Sequence, residues 1–525
     1  MSPATSILDM HSLKARSFLR EDKQYVNFSM PPYFKFNEVL MAASSILNNK
    51  SLQDICLQES GRSVYPSSCA DVNYTVLDNK DGAFAWRQMQ ILHPVLYVDL
   101  MNLITTEDNW LMLTKFFKNS VSKVECISMP LESNTSESNA AEQVNNWWRK
   151  IEQRSIEAAL DYRYIFQTDI TNCYPSIYTH SFEWALHPGG REDYKRKYDE
   201  GGQARKDARN LGKDIDIKLR NMNRNQTVGI PQGSTLMDFL AEIVLKGVDL
   251  ELTKNITETL SEYSDEKYLI LRYRDDYRIL TNNFKFGHNI MKNLSSILFK
   301  WNFRMNSSKT SESSDVITAS IKQEKQEEIY ISPQKQSYQK EALRILDLSK
   351  KYPNSGIVAK RLSAFFLRID KYLSKSNHKD KVNAEAVLSI LVMTGTTSPK
   401  LIPQISGTIS RLIEIYDKSL DRNKIISRIV GRFNDIPNSE MMDIWMQRII
   451  SKDLIISYDF KSAITDVAKG KCGVDQIWNS QWLAVEERRS IESASISDLK
   501  PKVEEGLFDP VPGPEEFLLY RHKES

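Results

Sequence analysis

Cysteine is scarce and scattered. Cys56, Cys69, Cys126, Cys173 and Cys472 are the five thiols among 525 residues, odd in number and without a CxxC pair, which argues against both a disulfide framework and a thiolate zinc site and fits a reducing cytoplasm. Glycine is also sparse, with 19 residues, and that leans the chain towards helix. Net charge is almost absent: 70 basic and 68 acidic side chains leave +2, so there is no global polyanion-binding signature and any nucleic-acid channel must come from local clustering. Long apolar runs are missing as well. The greasiest stretch, "ILHPVLYVDLMNLI", is broken by His93, Pro94 and Asp99, and "MSPATSILDMHSLKAR" has no basic segment leading into an apolar core. The expectation is a soluble, cytoplasmic protein with no membrane span.

What is present is ordinary for a folded chain: 41% hydrophobic and 26% charged residues. Single cores stop growing at roughly 250–300 residues, so at least two domains are expected. Residues 1–130 mix short apolar runs with turn signals. Residues 131–146, "LESNTSESNAAEQVNN", are polar enough to predict an exposed loop. From 147 to 325 the pattern is α/β. A strand "YRYIFQTDI" leads to a helical segment and a charged insertion, and then a turn at Pro231 and Gly233 opens a buried helix carrying Leu236, Leu240, Ile243 and Val244. Residues 326–490 are steadily helical, with Val358, Leu362, Phe365, Ile369 and Leu373 on one face, Ile405, Ile409 and Leu412 on another, and Ile426, Ile429 and Phe433 on a third. This pattern predicts stacked helix pairs. The tail, 491–525, holds Pro501, Pro510, Pro512 and Pro514 and is expected to be extended. The fold class is therefore α+β with an all-α C-terminal domain.

The chemistry is concentrated in "LRYRDDYRIL", residues 271–280, where Asp275 and Asp276 interrupt a run that reads as a buried hairpin. A buried, unpaired carboxylate costs several kcal/mol, so a pair there needs a reason. A third acid, Asp169, follows the apolar strand "YIFQTD". Two such strands side by side would bring three carboxylates together, and their mutual repulsion calls for divalent cations; hard oxygen ligands favour Mg²⁺ or Mn²⁺.

Four segments, "DITNCYPSI", "GIPQGS", "YRDD" and "LFKWNFRMNSSKT", occur in the order and spacing of the reverse-transcriptase palm motifs A to D. Together with "PPYFKF", "NKDG…WR…HPVLY" and the long helical C-terminus, the chain resembles the prophage-encoded abortive-infection polymerases related to AbiK, of the P-two-like prophage type. The resemblance implies reverse-transcriptase-like fingers and palm followed by a HEAT-like helical domain. It implies that Asp169, Asp275 and Asp276 are catalytic metal ligands, with the Ile170 carbonyl nearby. Tyr174 matches the aromatic gate under the sugar, and Gln232 and Gly233 the turn that touches the incoming nucleotide. Lys309 matches the lysine that protonates departing pyrophosphate. Lys80 and Arg87 match a cation fork that grips the triphosphate. Arg274 occupies a motif C position where small residues are more common.

The resemblance further implies antiphage abortive infection by template-independent, protein-primed DNA synthesis from dNTPs. The single-stranded DNA product would be covalently attached to a tyrosine, for which Tyr25 in "EDKQYVNF" is the choice, and the enzyme would be a homo-oligomer, a trimer. Two other readings stay open on the residues alone: an RNA-templated reverse transcriptase with an RNA partner, and a non-catalytic scaffold that binds nucleic acid or a phage protein.

Overall fold

The computed structural model describes residues 4–135, 138–200, 210–329, 337–353, 355–375, 383–416, 419–450 and 458–517. Its centre is a five-stranded sheet in the order Ser311–Ser313, Tyr164–Asp169, Asp276–Thr281, Tyr268–Tyr273, Val124–Cys126. Each of the first four is antiparallel to its neighbour, and Val124–Cys126 runs parallel to its neighbour at the edge. The period of two along a strand explains why these segments pair as they do. Ile165 lies opposite Leu280, and Phe166 opposite Ile279. All four are at most 2% exposed, because both faces of the sheet are covered. The helices Thr235–Thr259 and Phe284–Lys300 lie against one face; Ala158 and Val316 pack with Ile165 and Leu280 on the other. Fully burying each such aliphatic side chain stabilises by about 1.5–3 kcal/mol, and a one-residue slip would turn every one of them to the wrong face.

A second antiparallel hairpin, Tyr74–Asn79 with Trp86–Ile91, stands apart from this sheet. Its six-residue connection is held by side chains that mimic backbone: Asn79 Oδ1 accepts from the Gly82 amide at 2.8 Å and Asp81 Oδ1 from the Ala83 amide at 2.9 Å. The hairpin is anchored to the C-terminal helices. Asn79 Nδ2 donates to the Pro437 carbonyl at 2.7 Å, and Tyr74 donates to Glu440.

Beyond residue 337 the regular elements among the described residues are helices. Tyr338–Lys351 packs on Ala384–Thr397, Gly356–Leu373 on Ile402–Ile413, and Ile402–Ile413 on Glu440–Ile449. Phe365, Ile369, Ile405, Ile409 and Leu412, expected to face inward, are all fully buried.

Two expectations are corrected. The polar segment 131–146 is not a loop throughout: Leu131–Ser133 pairs with Ala4–Ser6, and Asn139–Trp147 is a helix capped by Ser138. Backbone pairing and a side-chain cap satisfied what composition alone left open. The tail is not extended throughout either, since Leu499–Glu504 is a helix and Phe517 is buried against Phe366 and Gly407. The preceding segment also returns to the N-terminal part of the chain. Trp478 Nε1 donates to the Ile91 carbonyl at 3.1 Å, Ser480 Oγ lies 3.1 Å from His93 Nε2, and Phe34 bridges Ser497. A continuous apolar core consequently runs from Ile7 to Phe517. Residues 518–525 of the expected tail lie outside the described residues.

Candidate active site

The hairpin Tyr268–Tyr273 and Asp276–Thr281 turns through Arg274 and Asp275. Arg274 sits at φ 54°, the left-handed region that costs a non-glycine residue about 1 kcal/mol, and three bonds hold it there. Its amide donates to Ser128 Oγ at 2.8 Å, its carbonyl accepts from Arg272 Nη1 at 3.0 Å, and its guanidinium meets Asp238 at 2.9 Å. This turn delivers Asp275 and Asp276 to the end of the sheet. Asp276 is the cross-strand partner of Asp169, and the Ile170 amide donates to the Asp275 carbonyl at 3.1 Å. Asp169 and the adjacent pair Asp275 and Asp276, from segments far apart in sequence, thus share one end of two adjacent strands.

Their electrostatics are unbalanced. Among the described residues Lys309 is the only side chain that forms an ion pair with any of the three, through Asp169 Oδ2. Asp169 is 4% exposed, and its other oxygen, buried, accepts no hydrogen bond. Burial, then the neighbouring Asp169, raises the Asp275 carboxyl. Asp276 is reached by solvent but ringed by protein; burial, then the charges of Asp275 and Asp169, pushes it up to about 6. For Lys309 burial acts downward, and the hydrogen bond to Asp169 with the pull of all three acids outweighs it, holding the ammonium above its ordinary range.

An orphaned buried carboxylate oxygen and a surplus of hard oxygen donors fit Mg²⁺ or Mn²⁺. The one His, Cys, Asp and Glu grouping with ligand atoms within 4.8 Å of one another, among the described residues, is elsewhere: His180, Glu183 and Asp216. The three aspartates do not fall within that limit of one another.

Around this cluster the structure gathers most of the residues expected from sequence. Lys80, at the start of the hairpin turn, lies within electrostatic range of Lys309, Asp275 and Arg87; burial, then Arg87, lowers its pKa. Arg87 faces Asp78 across the hairpin. Tyr174 follows Asp169 on a short helix, Cys173–Ser176, and its buried hydroxyl donates to Asp238. The Gln232 carbonyl accepts from the Gln90 amide at 2.7 Å and the Gly233 carbonyl from the Asn27 amide at 2.9 Å, so this turn is tied to the strand that carries Arg87. Gly233 sits at φ 132°, and a Cβ there would lie 2.9 Å from the Gln90 carbonyl, so only glycine fits. Ser234 caps the helix that follows, accepting from the Met237 amide at 3.3 Å.

Tyr25 is the exception. It is fully buried, its hydroxyl donates to the Leu92 carbonyl, and its ring packs edge-on against Tyr97 and Phe36. Burial, then Tyr97, raises its pKa well above the ordinary value. A hydroxyl enclosed in this way is not presented to a nucleotide.

Sequence reading missed two residues. Asp238 joins Tyr174, Arg274 and Asn27 through its two carboxylate oxygens; as an acid in a first helical turn it reads as an ordinary dipole partner. Lys400 comes from the helical region and lies within electrostatic range of Asp78 and Arg87. Nothing local in "TSPKLIP" signals it.

No protein-family model and no curated protein matches this chain. Among solved structures, telomerase from Candida tropicalis in complex with the TWJ fragment of telomeric RNA aligns at TM-score 0.27 and 11% identity, over 71% of this chain and 65% of that one. Telomerase from Candida albicans, in the same kind of complex, aligns at TM-score 0.25 and 13% identity, over 64% and 55%. The chain thus spans less than two thirds of either relative. At these scores the alignments decide nothing, and the geometry at the strand ends carries the argument.

Proposed function

We propose that the protein is a nucleotidyltransferase of reverse-transcriptase type that makes DNA from dNTPs without a template, starting from a tyrosine hydroxyl of its own, in antiphage abortive infection. The observation that carries the chemistry is the cross-strand pairing of Asp169 with Asp276, with Asp275 in the turn beside them and, among the described residues, a single ion-paired cation for three acids.

Asp169, Asp275 and Asp276, with the Ile170 carbonyl, would hold the ions. When bound, such ions activate an attacking hydroxyl and stabilise a leaving pyrophosphate. The chain's own groups supply the rest. Lys80 and Arg87 receive the triphosphate from the hairpin side. Tyr174, fixed by Asp238, limits the room beneath the sugar and favours a deoxyribose. The Gln232–Gly233 turn, locked to Gln90, orients the nucleotide. Lys309 carries a proton that it can give to pyrophosphate as that leaves, and its contact with Asp169 must loosen for a divalent ion to take the same oxygen.

Tyr25 is set aside as the primer because its hydroxyl is enclosed in the core. Peptide mapping of the adduct identifies the tyrosine that serves.

Intact mass spectrometry tests the reading. Purified protein given dNTPs and Mg²⁺, with no nucleic acid, gains mass in nucleotide steps, and the Asp275→Ala/Asp276→Ala variant does not. Incorporation that strictly requires added RNA would overturn it in favour of a templated reverse transcriptase, and undiminished defence by Asp169→Asn in favour of a non-catalytic scaffold. The trimer belongs to the same proposal and is read by light scattering.

A further inference from the structure

Lys400 lies on a short turn, Pro399–Leu401, between the helices Ala384–Thr397 and Ile402–Ile413. Both its neighbours are buried, Leu401 at 2%, and Ser398 before them is fully buried with its hydroxyl on the Ser349 carbonyl. Of these residues only Lys400 is reached by solvent, although protein rings its ammonium. The turn is pressed against the strand Tyr74–Asn79. At the hairpin tip, Gly82 at φ 72° approaches the C-terminal end of the preceding helix so closely that a Cβ would overlap the Thr396 carbonyl oxygen. Together with the bond from Asn79 to Pro437, this fixes the hairpin and the Lys400 turn as one unit.

The charges brought together this way do not cancel. Lys400 lies within range of Asp78, but also of Arg87, Lys322 and Arg274, and burial followed by the Arg87 charge lowers its pKa. Among the described residues Lys400 forms no hydrogen bond or ion pair, and neither does the guanidinium of Arg87. Lys80, on the same hairpin, feels both Arg87 and Asp275. Cations held near one another at the mouth of an acidic metal-type site repel unless an anion sits among them. Three cations on one hairpin and the turn pressed against it suit a short, dense polyanion better than an extended strand of singly charged phosphodiesters.

We propose that Lys400, contributed by the helical region, joins Lys80 and Arg87 as a third cation on the terminal phosphates of the incoming nucleoside triphosphate. The inference rests on the polymerase reading above and deepens it: the helical region then completes the nucleotide site instead of merely flanking it. Lys400 positions the phosphates and takes no part in proton transfer.

The test is calorimetric titration of Mg·dATP and of inorganic tripolyphosphate into the full-length protein, paired with steady-state incorporation. Lys400→Ala is expected to raise both the Kd for triphosphate and the KM for dNTP by about tenfold or more, the usual scale for a lost charge-assisted contact, with kcat within about threefold. Lys400→Arg recovers most of the affinity and Lys400→Glu loses more. Because the side chain is exposed, circular dichroism and melting stay unchanged. Unaltered triphosphate affinity and KM in Lys400→Ala would overturn the inference, and so would a loss confined to single-stranded oligonucleotide. A wild-type protein that binds tripolyphosphate through Lys400 yet never incorporates nucleotide would overturn the polymerase reading instead and leave the phosphate site standing.

Discussion

Two groups of acids flank the same hairpin and are treated in opposite ways. Behind it, Glu242 and Asp249 of the helix Thr235–Thr259 meet Arg272, and all three are at most 2% exposed. Arg272 donates to both oxygens of Asp249, at 3.1 and 2.9 Å from Nε, and to Glu242 at 2.8 Å; Tyr277 and Ser128 supply further donors. In front of it, among the described residues, Lys309 is the one side chain ion-paired to any of Asp169, Asp275 and Asp276. The first group is closed: both carboxylates are ion-paired to Arg272 and take further hydrogen bonds from Tyr277 and Ser128, so it can specify packing but do no chemistry. The second is left open at the end of the sheet, where an ion can enter. The contrast teaches that the carboxylates mark a site because their surroundings decline to neutralise them.

Substitutions should split along that line. Asp275→Ala is expected to lower incorporation by about 10³-fold or more, on the scale of lost transition-state charge stabilisation, while the melting temperature holds or rises as repulsion is relieved. A parallel loss of structure would erase the distinction between the groups. Arg272→Met should do the reverse, destabilising by about 3–5 kcal/mol because two buried acids lose their partner; chemical denaturation reads it, and adding Glu242→Gln and Asp249→Asn should recover part. Lys309→Ala should lower kcat by about 10²-fold with little change in KM, as for a positioned proton donor, and the high-pH limb of the rate profile should go with it.

Metal and pH sharpen the comparison further. The Asp276 carboxyl, at about 6 in the metal-free protein, stands above its ordinary value. The folded state therefore holds that proton more tightly than the unfolded state. This group's stabilising contribution is present in full below the ordinary value and is lost as pH rises through about 6. Divalent ions bind the deprotonated cluster, so Mg²⁺ should raise the melting temperature at pH 8 and leave it unchanged at pH 5, and Asp275→Ala should abolish the response. The smallest effect belongs to Tyr25→Phe, which removes one buried hydrogen bond and should cost about 1 kcal/mol of stability while DNA–protein adduct forms as before. Loss of the adduct in that variant would return Tyr25 to the priming role.

Much of this was readable from local pattern. The apolar alternation around Asp169 and through residues 271–280 announced two paired strands, and Pro231 with Gly233 announced the turn into a buried helix. The hairpin that carries Lys80 and Arg87 was expected from the family resemblance instead of from local pattern. The buried setting of Tyr25 was not legible, because "EDKQYVNF" is polar on both sides and only packing against Tyr97, Phe36 and the Leu92 carbonyl encloses the ring. The Ala4–Ser6 pairing that organises residues 131–133 escaped for the same reason: strand partners more than 120 residues apart leave no trace in either segment's composition.

The chain's own order of residues decided which elements form and which carboxylates are placed at strand ends, since side-chain periodicity and turn chemistry act over a few residues. Which acids are neutralised and which stay open, that Arg274 is spent on Asp238, and that a lysine 320 residues beyond Lys80 stands beside the same hairpin, were decided only by the tertiary structure. Electrostatic balance depends on distances through space, and a linear sequence does not contain them.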